Sequence, residues 1–265
     1  MVDLSSTAPL TKQQQTEITR IAIKAGQLLQ QHGAESRLIE QTTTRLGVAL
    51  GAQSIELAVS ADALVLTSLF EGRCITTTRK VHDRGINMQM VCDVQRICVM
   101  AEKQLLSAAD VNKKLDKLKP MKYNRWLVVL MIGLSCASFS HLFGGDWWAF
   151  AVTFVASATA MCVRQELAHR HHNPFINFAV TAFIATLISS FGVIYQLGNR
   201  PDLAMAACVL LLVPGFPLIN AVSDMVKGHI NMGIARWTAA TLLTFSVAAG
   251  IFAAMGVTNV MGWLS

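Results

Sequence analysis

The sequence predicts an α+β domain followed by an all-α membrane domain of five transmembrane helices. Three observations predict this: charge is concentrated in the first half, apolar spacing changes along the chain, and long apolar runs fill the second half. Residues 1–125 carry 17 Lys and Arg and 12 Asp and Glu, whereas residues 126–265 carry 5 and 4. With 14% charged residues, the chain is poorer in charge than typical soluble domains, where the share is about a quarter.

Two amphipathic helices are predicted at the start of the α+β part. Residues 14–31 repeat apolar side chains at helical spacing, and residues 35–50 do the same. The segment HGAES lies between them. Gly33 is expected to end the first helix, because glycine favours the left-handed position that closes helices. Glu35 or Ser36 is expected to begin the second helix.

The residues after the second helix change from helical spacing to a strand-like pattern. The segments SIELAVS, ADALVLTSLF and RCITTTRKV are rich in β-branched and apolar residues, and the residues between the last two suit a tight turn. We therefore expect an antiparallel sheet of about three strands. A helix over about 88–107 follows, with Met88 and Leu105 among its inward residues, and a short helix near 110–118 leads to the apolar half.

Five apolar runs occupy the second half, and each is close to the ~20 residues that a helix needs to cross a bilayer. The runs cover about 126–143, 147–163, 175–197, 203–222 and 237–257. Loops rich in Lys and Arg alternate with loops poor in them, and the richest lies before the first run. Because positive loops stay on the cytoplasmic side, we expect a cytoplasmic N-terminus and a C-terminus on the opposite side. The expected domains are a disordered tail (1–12), a cytoplasmic α+β domain (13–122) and a five-span membrane domain (123–265).

The net charge of +6 does not indicate a nucleic-acid partner. The late positive charges lie between apolar runs, where they set orientation in the lipid bilayer. The six cysteines show no CxxC spacing, so reduced structural thiols are expected. Glu166 lies near His169, His171 and His172, and we interpret this cluster as an interfacial loop rather than a metal site. No cofactor is expected.

The fourth run contains the stretch LLLVPGFPLINAVSDMVKGH, in which helix-breaking residues interrupt an apolar sequence. Pro214 lies eleven residues after Leu203, roughly 16 Å into a core of about 30 Å. Two prolines around Gly215 favour a break, because each lacks an N–H and clashes with the preceding turn. Pro217 suits the first turn of a second half-helix. We therefore predict a span that is broken near mid-bilayer.

A half-helix that begins inside the membrane points unpaired N–H groups and a partial positive charge at the break. Such a start suits a carboxylate, and transporters use it. Asn220, Asp224 and Lys227 share one face of this half-helix. The predicted substrate-binding residues are Pro214, Gly215, Phe216, Pro217, Asn220, Asp224 and Lys227. The alternative is a kinked helix whose polar end has reached the interface, which by depth applies above all to Asp224 and Lys227.

A second polar segment, TTTRKVHDRGIN, lies at the end of the third predicted strand. Its charged residues and histidine are Arg79, Lys80, His82, Asp83 and Arg84. One interpretation is a solvated strand end followed by a helix cap. The other is a docking surface or a vestibule below the membrane, where cations raise the local concentration of anions. The sequence leaves both interpretations open.

Three segments in order, HGAES, TTTRKVHDRGIN and LLLVPGFPLINAVSDMVKGHINMGIARW, resemble motifs of the threonine/serine exporter family. The resemblance covers nearly the whole chain beyond residue 12 and is closest to the longer subunit of the family's two-component variant. Members export small carboxylate-bearing metabolites, hydroxy amino acids or dicarboxylates such as succinate, across the bacterial inner membrane.

The resemblance therefore implies a small carboxylate substrate, a periplasmic C-terminus and a membrane partner subunit of the YjjB type. It fixes neither the identity of the substrate nor the coupling ion, and the copy number is likewise not given by the sequence. Proton coupling, for which the histidine His229 is a candidate, stays open, as does a higher oligomer.

Two other functions remain as alternatives. A membrane-anchored hydrolase needs a nucleophile–base pair, but HGAES is not G-x-S-x-G and no strand precedes it. His32 and Glu35 are instead expected at a helix–helix corner. A scaffold subunit without a substrate path predicts that Asn220→Ala and Asp224→Asn leave transport unchanged.

Overall fold

The computed structural model describes residues 11–170 and 172–260, and it is mostly helical with one small sheet. Most of the predicted tail, together with His171, lies outside the described residues. In chain order the elements are α1 (Lys12–Gln31), α2 (Ser36–Ala49), β1 (Ser54–Val59), β2 (Ala63–Phe70), β3 (Arg73–Lys80), α3 (Met88–Glu102), α4 (Ala108–Lys117), α5 (Arg125–Leu142), α6 (Trp147–His169), α7 (Pro174–Ile194), α8 (Pro201–Cys208), a 3₁₀ turn (Leu210–Leu212), α9 (Gly215–Val226) and α10 (Ile230–Thr258).

The chain packs into two units. The first unit holds the residues up to Met121 together with Pro217–Trp237. The second unit holds Lys122–Phe216 and the residues from Thr238 onward. A late stretch of the chain, comprising most of α9 and the start of α10, therefore packs with α1–α4 and the sheet.

The core of the first unit lies where α1 and α2 pack on the sheet. The strand order is β1–β2–β3, and both pairs are antiparallel. On the central strand β2, the alternating residues Leu64, Leu66 and Ser68 are fully buried. Glu71 and Gly72 have φ values of 45° and 75°, as a two-residue turn between twisted strands requires. These features confirm the predicted sheet and its tight turn.

Helices α1 and α2 meet at the segment His32–Ser36, which we call the α1–α2 corner. Gly33 has φ of 83°, and its N–H donates to the carbonyl of Gln30 at 3.1 Å. The N–H of Ala34 donates to the carbonyl of Leu29 at 3.0 Å. This pair of bonds closes α1 with a Schellman motif, so the predicted helix end at Gly33 is confirmed.

The second unit packs its helices through small side chains. Gly250 on α10 comes so close to α7 that an added Cβ would lie 2.2 Å from the carbonyl oxygen of Ala179. Such close approach is the usual way in which membrane helices associate. A fully buried cluster on α6, α7 and α8 has the same character and consists of Ala156, Ala160, Ala185 and Cys208.

Among the described residues, four helices are long and apolar enough to cross a membrane, namely α5, α6, α7 and α10. The stretch from α8 to α9 passes the same test as one span with a break. The chain therefore has four to five candidate spans, and it is a membrane protein. The longest, α10, begins at Ile230, seven residues before the apolar run that predicted it.

Candidate functional site

The fourth apolar run is interrupted at the predicted position. The 3₁₀ turn ends at Leu212 and α9 begins at Gly215, and the helices on either side differ in direction by 54°. Pro214 has no N–H to donate, while the N–H of Gly215 donates to the carbonyl of Val213 at 2.9 Å. Pro217 lies in the first turn of α9. The predicted break in the fourth apolar run is confirmed.

Asp224, the charged residue of α9, is fully buried and has no exposed surface. Its carboxylate accepts hydrogen bonds from the backbone N–H and the hydroxyl of Ser36, each at 2.9 Å. It also accepts one from Nη1 of Arg236 at 2.8 Å, which makes a buried ion pair. The helix α2 has no side-chain cap of its own at Glu35. Asp224 therefore caps α2 from a position 188 residues away.

Further polar side chains of α9, of α10 and of the turn between them bind the same corner. The amide of Asn220 donates to the carbonyl of Gly33 at 2.9 Å. Nη2 of Arg236 donates to the carbonyl of Ala34 at 2.7 Å. Lys227 forms an ion pair with Glu35. The predicted polar face of α9 is thus brought together in the structure, and it contacts the α1–α2 corner.

The loop after β3 also contacts this corner, but through its backbone. The N–H of Arg84 donates to the carbonyl of Gln31 at 3.0 Å, and the N–H of Asn87 donates to the carbonyl of His32 at 3.2 Å. Asp83 accepts from the N–H of Gly85 at 2.8 Å, which fixes the turn. All five side chains predicted as a vestibule or docking surface are exposed, namely Arg79, Lys80, His82, Asp83 and Arg84.

His32 is the buried histidine of the corner. Only 2% of its surface is exposed, and neither ring nitrogen has a hydrogen-bond partner among the described residues. Burial lowers the pKa of this imidazole, and together with the nearby charge of Arg84 it outweighs the opposite effects of the Gly85 backbone and of Asp83. His32 is therefore neutral near pH 7.

The corner lacks the arrangement that a hydrolase would need. Ser36 is fully buried, and its hydroxyl donates directly to Asp224 at 2.9 Å. The ring nitrogens of His32 contact neither group through a hydrogen bond. A serine nucleophile needs access to substrate as well as an adjacent base, and the fully buried Ser36 has no such access.

A comparison with known families identifies the family of this chain. The model described as "Putative threonine/serine exporter" matches residues 20–258. The chain belongs to the threonine/serine exporter family. The match extends over the α1–α2 corner, the loop after β3 and the broken span.

Several relatives of the chain are named as a transporter subunit or as an exporter. The "Probable succinate transporter subunit YjjP" of Escherichia coli is 52% identical over 95% of this chain and 99% of its own length. Its counterpart in Klebsiella aerogenes is 53% identical over 95% of this chain and 98% of its own. The "Probable threonine/serine exporter" of Mycobacterium tuberculosis is 24% identical over 70% of this chain and 35% of its own. No solved structure matches the chain.

Sequence reasoning missed that the exporter motifs meet one another. Arg236 was counted as a topological charge and Ser36 as a helix start, yet both bind Asp224. One signal was present: Asp224 and Arg236 are opposite charges in an apolar region of the chain, twelve residues apart across a turn. Opposite charges in such a region are expected to pair.

Proposed function

We propose that the chain is a subunit of a bacterial inner-membrane exporter for small carboxylate-bearing metabolites. The substrate is a dicarboxylate such as succinate, or threonine and serine, and the subunit acts with a YjjB-type partner. The names of the relatives support the transport of such compounds, and the word "subunit" in one of them supports a partner.

The observation that carries this proposal is the broken span. The face of α9 opposite Asn220 and Asp224 exposes Ile219, Val222 and Val226, which suits contact with lipid. Backbone that is freed inside a membrane must face protein or a water-filled cavity. The break at Pro214 therefore supports a cavity at that depth.

We place the substrate carboxylate at the break, beside Pro214, Gly215, Phe216 and Pro217. The start of α9 offers backbone N–H groups and the positive end of its dipole, both of which favour an anion. Asn220, Asp224 and Lys227 continue from this site as the polar face of α9. Their bonds to the α1–α2 corner hold that face in position.

The proposed topology has a cytoplasmic N-terminus and a periplasmic C-terminus, because positively charged loops alternate along the chain. The exposed cations Arg79, Lys80 and Arg84 then lie on the cytoplasmic side, where they attract anionic substrate. This function of the loop as a vestibule is part of the proposal, as is proton coupling through His229.

Transport in membrane vesicles that contain this chain and its YjjB-type partner tests the proposal. Vesicles loaded with labelled succinate, threonine or serine are expected to release at least one of them, and release is expected to require both subunits. A wild-type complex that releases none of the three would contradict the proposed function.

A pair of glycine variants tests the location of the site. An added Cβ meets no neighbouring atom at either Gly215 or Gly256, so both glycines tolerate a side chain sterically. Gly215→Val is expected to slow release by about tenfold or more, because binding residues must be held in place to within a fraction of an ångström. Gly256→Val is expected to behave as wild type. Equal rates in the two variants would place the substrate elsewhere.

A further inference from the structure

Arg164 lies in the second unit. From the sequence it was interpreted only as one of the positive loop charges that set orientation in the bilayer. It lies on α6, and its guanidinium contacts two other elements of the second unit. Nη1 donates to the carbonyl of Leu211 at 3.2 Å, and Cζ lies 4.6 Å from the ring centroid of Phe178. Both contacts direct the charged group into the helix bundle.

No carboxylate pairs with Arg164 among the described residues. Glu166, the nearest acidic residue in sequence, instead pairs with Arg170 at 3.0 Å and contacts Arg125 at 4.0 Å. A charged side chain inside a membrane is costly and normally has a partner or a function. Arg164 donates to one backbone carbonyl, and within residues 11–170 and 172–260 no acidic side chain forms an ion pair with it.

The direction of the side chain also separates Arg164 from an ordinary interfacial arginine. The Cα of Arg164 lies roughly 26 Å along α6 from that of Trp147, which is within the ~30 Å thickness of a bilayer core. Helical side chains lean toward the N-terminus of their helix, which for α6 is toward the bilayer centre. An interfacial arginine extends toward water, whereas Arg164 binds a carbonyl beside the broken span.

Leu211 places the guanidinium next to the break. Its carbonyl belongs to the 3₁₀ turn that ends one residue later, at Leu212. A guanidinium has five N–H donors in a planar fork that matches a carboxylate. One donor occupied by Leu211 leaves the others for a second acceptor.

We propose that Arg164 binds the carboxylate of the exported anion beside the break. This inference rests on the proposed function, and it assigns the cation that the anionic substrate requires. The ligand class is a small organic mono- or dicarboxylate. The contact with Leu211 holds the guanidinium in place, and the ring of Phe178 supports its plane.

Three variants on one helix separate substrate binding from a structural role. Arg164→Gln keeps an N–H donor for the Leu211 carbonyl but removes the charge. Arg164→Lys keeps the charge but loses the fork. Arg170→Gln is the matched control, because Arg170 is an exposed residue of the same segment whose ion pair with Glu166 is on the surface.

The first measurement is the KM for succinate release from vesicles that contain both subunits. Arg164→Gln is expected to raise KM by about tenfold or more, since loss of a desolvated charge partner weakens binding strongly. Arg164→Lys is expected to restore part of that loss, and Arg170→Gln to match wild type. A wild-type KM in Arg164→Gln would overturn the proposal.

The second measurement is succinate binding to the detergent-solubilised complex by calorimetry, which needs no transport. Binding that disappears in Arg164→Gln supports the site, even if release from vesicles fails and the proposed function falls. Equal binding by wild type and Arg164→Gln overturns the site, as does a wild-type complex that binds no succinate, threonine or serine. Size-exclusion profiles identify misfolded variants. If Arg164→Gln misfolds, succinate binding by Arg164→Lys is compared with wild type instead, and equal binding overturns the site.

Discussion

At the level of single residues, Asp224 connects two helices that are far apart in sequence. It caps the start of α2 and pairs with Arg236 at the start of α10, without any exposed surface. Removal of one partner from a buried ion pair leaves an uncompensated charge, which costs far more than the loss of a surface pair. The free energy of unfolding should therefore depend strongly on Asp224.

Asp224→Asn is expected to lower the free energy of unfolding by about 3 kcal/mol, because Arg236 then lacks its counter-charge. The measurement is denaturation of the purified complex in detergent. Glu102→Gln is the matched acid-to-amide control, since Glu102 pairs with Arg45 at the surface, and it is expected to cost about 1 kcal/mol or less. Equal losses would show that the Asp224 pair contributes no more than a surface pair.

His32 gives the first unit a sensitivity to acid. Burial lowers its pKa in the folded chain below the unfolded value of 6.5. Between these two values the unfolded chain binds more protons, so stability is present above pH 6.5 and is lost as the pH falls toward the folded pKa. Asp83 and Arg84 are the charged residues that act on this imidazole.

The test is thermal unfolding of wild type and His32→Leu between pH 7.5 and pH 5.5. This range extends about one pH unit on each side of the pKa of a free histidine. Wild type is expected to lose more stability on acidification than His32→Leu. His82→Leu, in an exposed position, should follow wild type. Parallel curves for wild type and His32→Leu would exclude His32 as the source of the acid sensitivity.

At the level of elements, the broken span is the feature that the sequence predicts best. Two prolines around a glycine override the helical preference of an apolar run. The prediction of inward residues in and after α3 was wrong at two positions. Met88 and Leu105 were predicted to face inward but are 40% and 68% exposed. Met88 is the first residue of α3, and Leu105 lies beyond its end at Glu102. Helical spacing is therefore a poor guide to burial at the first residue of a helix and beyond its end.

Pro214→Ala tests whether the break itself is required. A proline disfavours a continuous helix by about 3 kcal/mol relative to alanine, so the variant should straighten the span and reduce release from vesicles. Pro201→Ala is the control, because Pro201 is the first residue of α8, where proline is well tolerated. Release at the wild-type rate by Pro214→Ala would show that transport does not require the break.

At the level of the whole molecule, local patterns predict the elements but not the packing of distant segments. Residues 217–237 pack with the N-terminal unit, although their composition resembles that of the membrane half. The contact from Asn220 to Gly33 joins residues 187 positions apart. Spacing and propensity contain no information about such a pairing, because each partner is locally a plausible helix end or polar face. The polar face of α9 could be predicted, but the corner that it contacts could not.

The cap that Asp224 provides for α2 has a consequence for recombination between relatives. Consider a hybrid protein that takes residues up to about 122 from one relative and the remaining residues from another. Its α2 then comes from one parent, whereas the Asp224 carboxylate that caps α2 comes from the other. Transfer of residues 217–237 along with the N-terminal part keeps both halves of that contact from a single parent. The natural unit of exchange in this protein is therefore discontinuous in sequence.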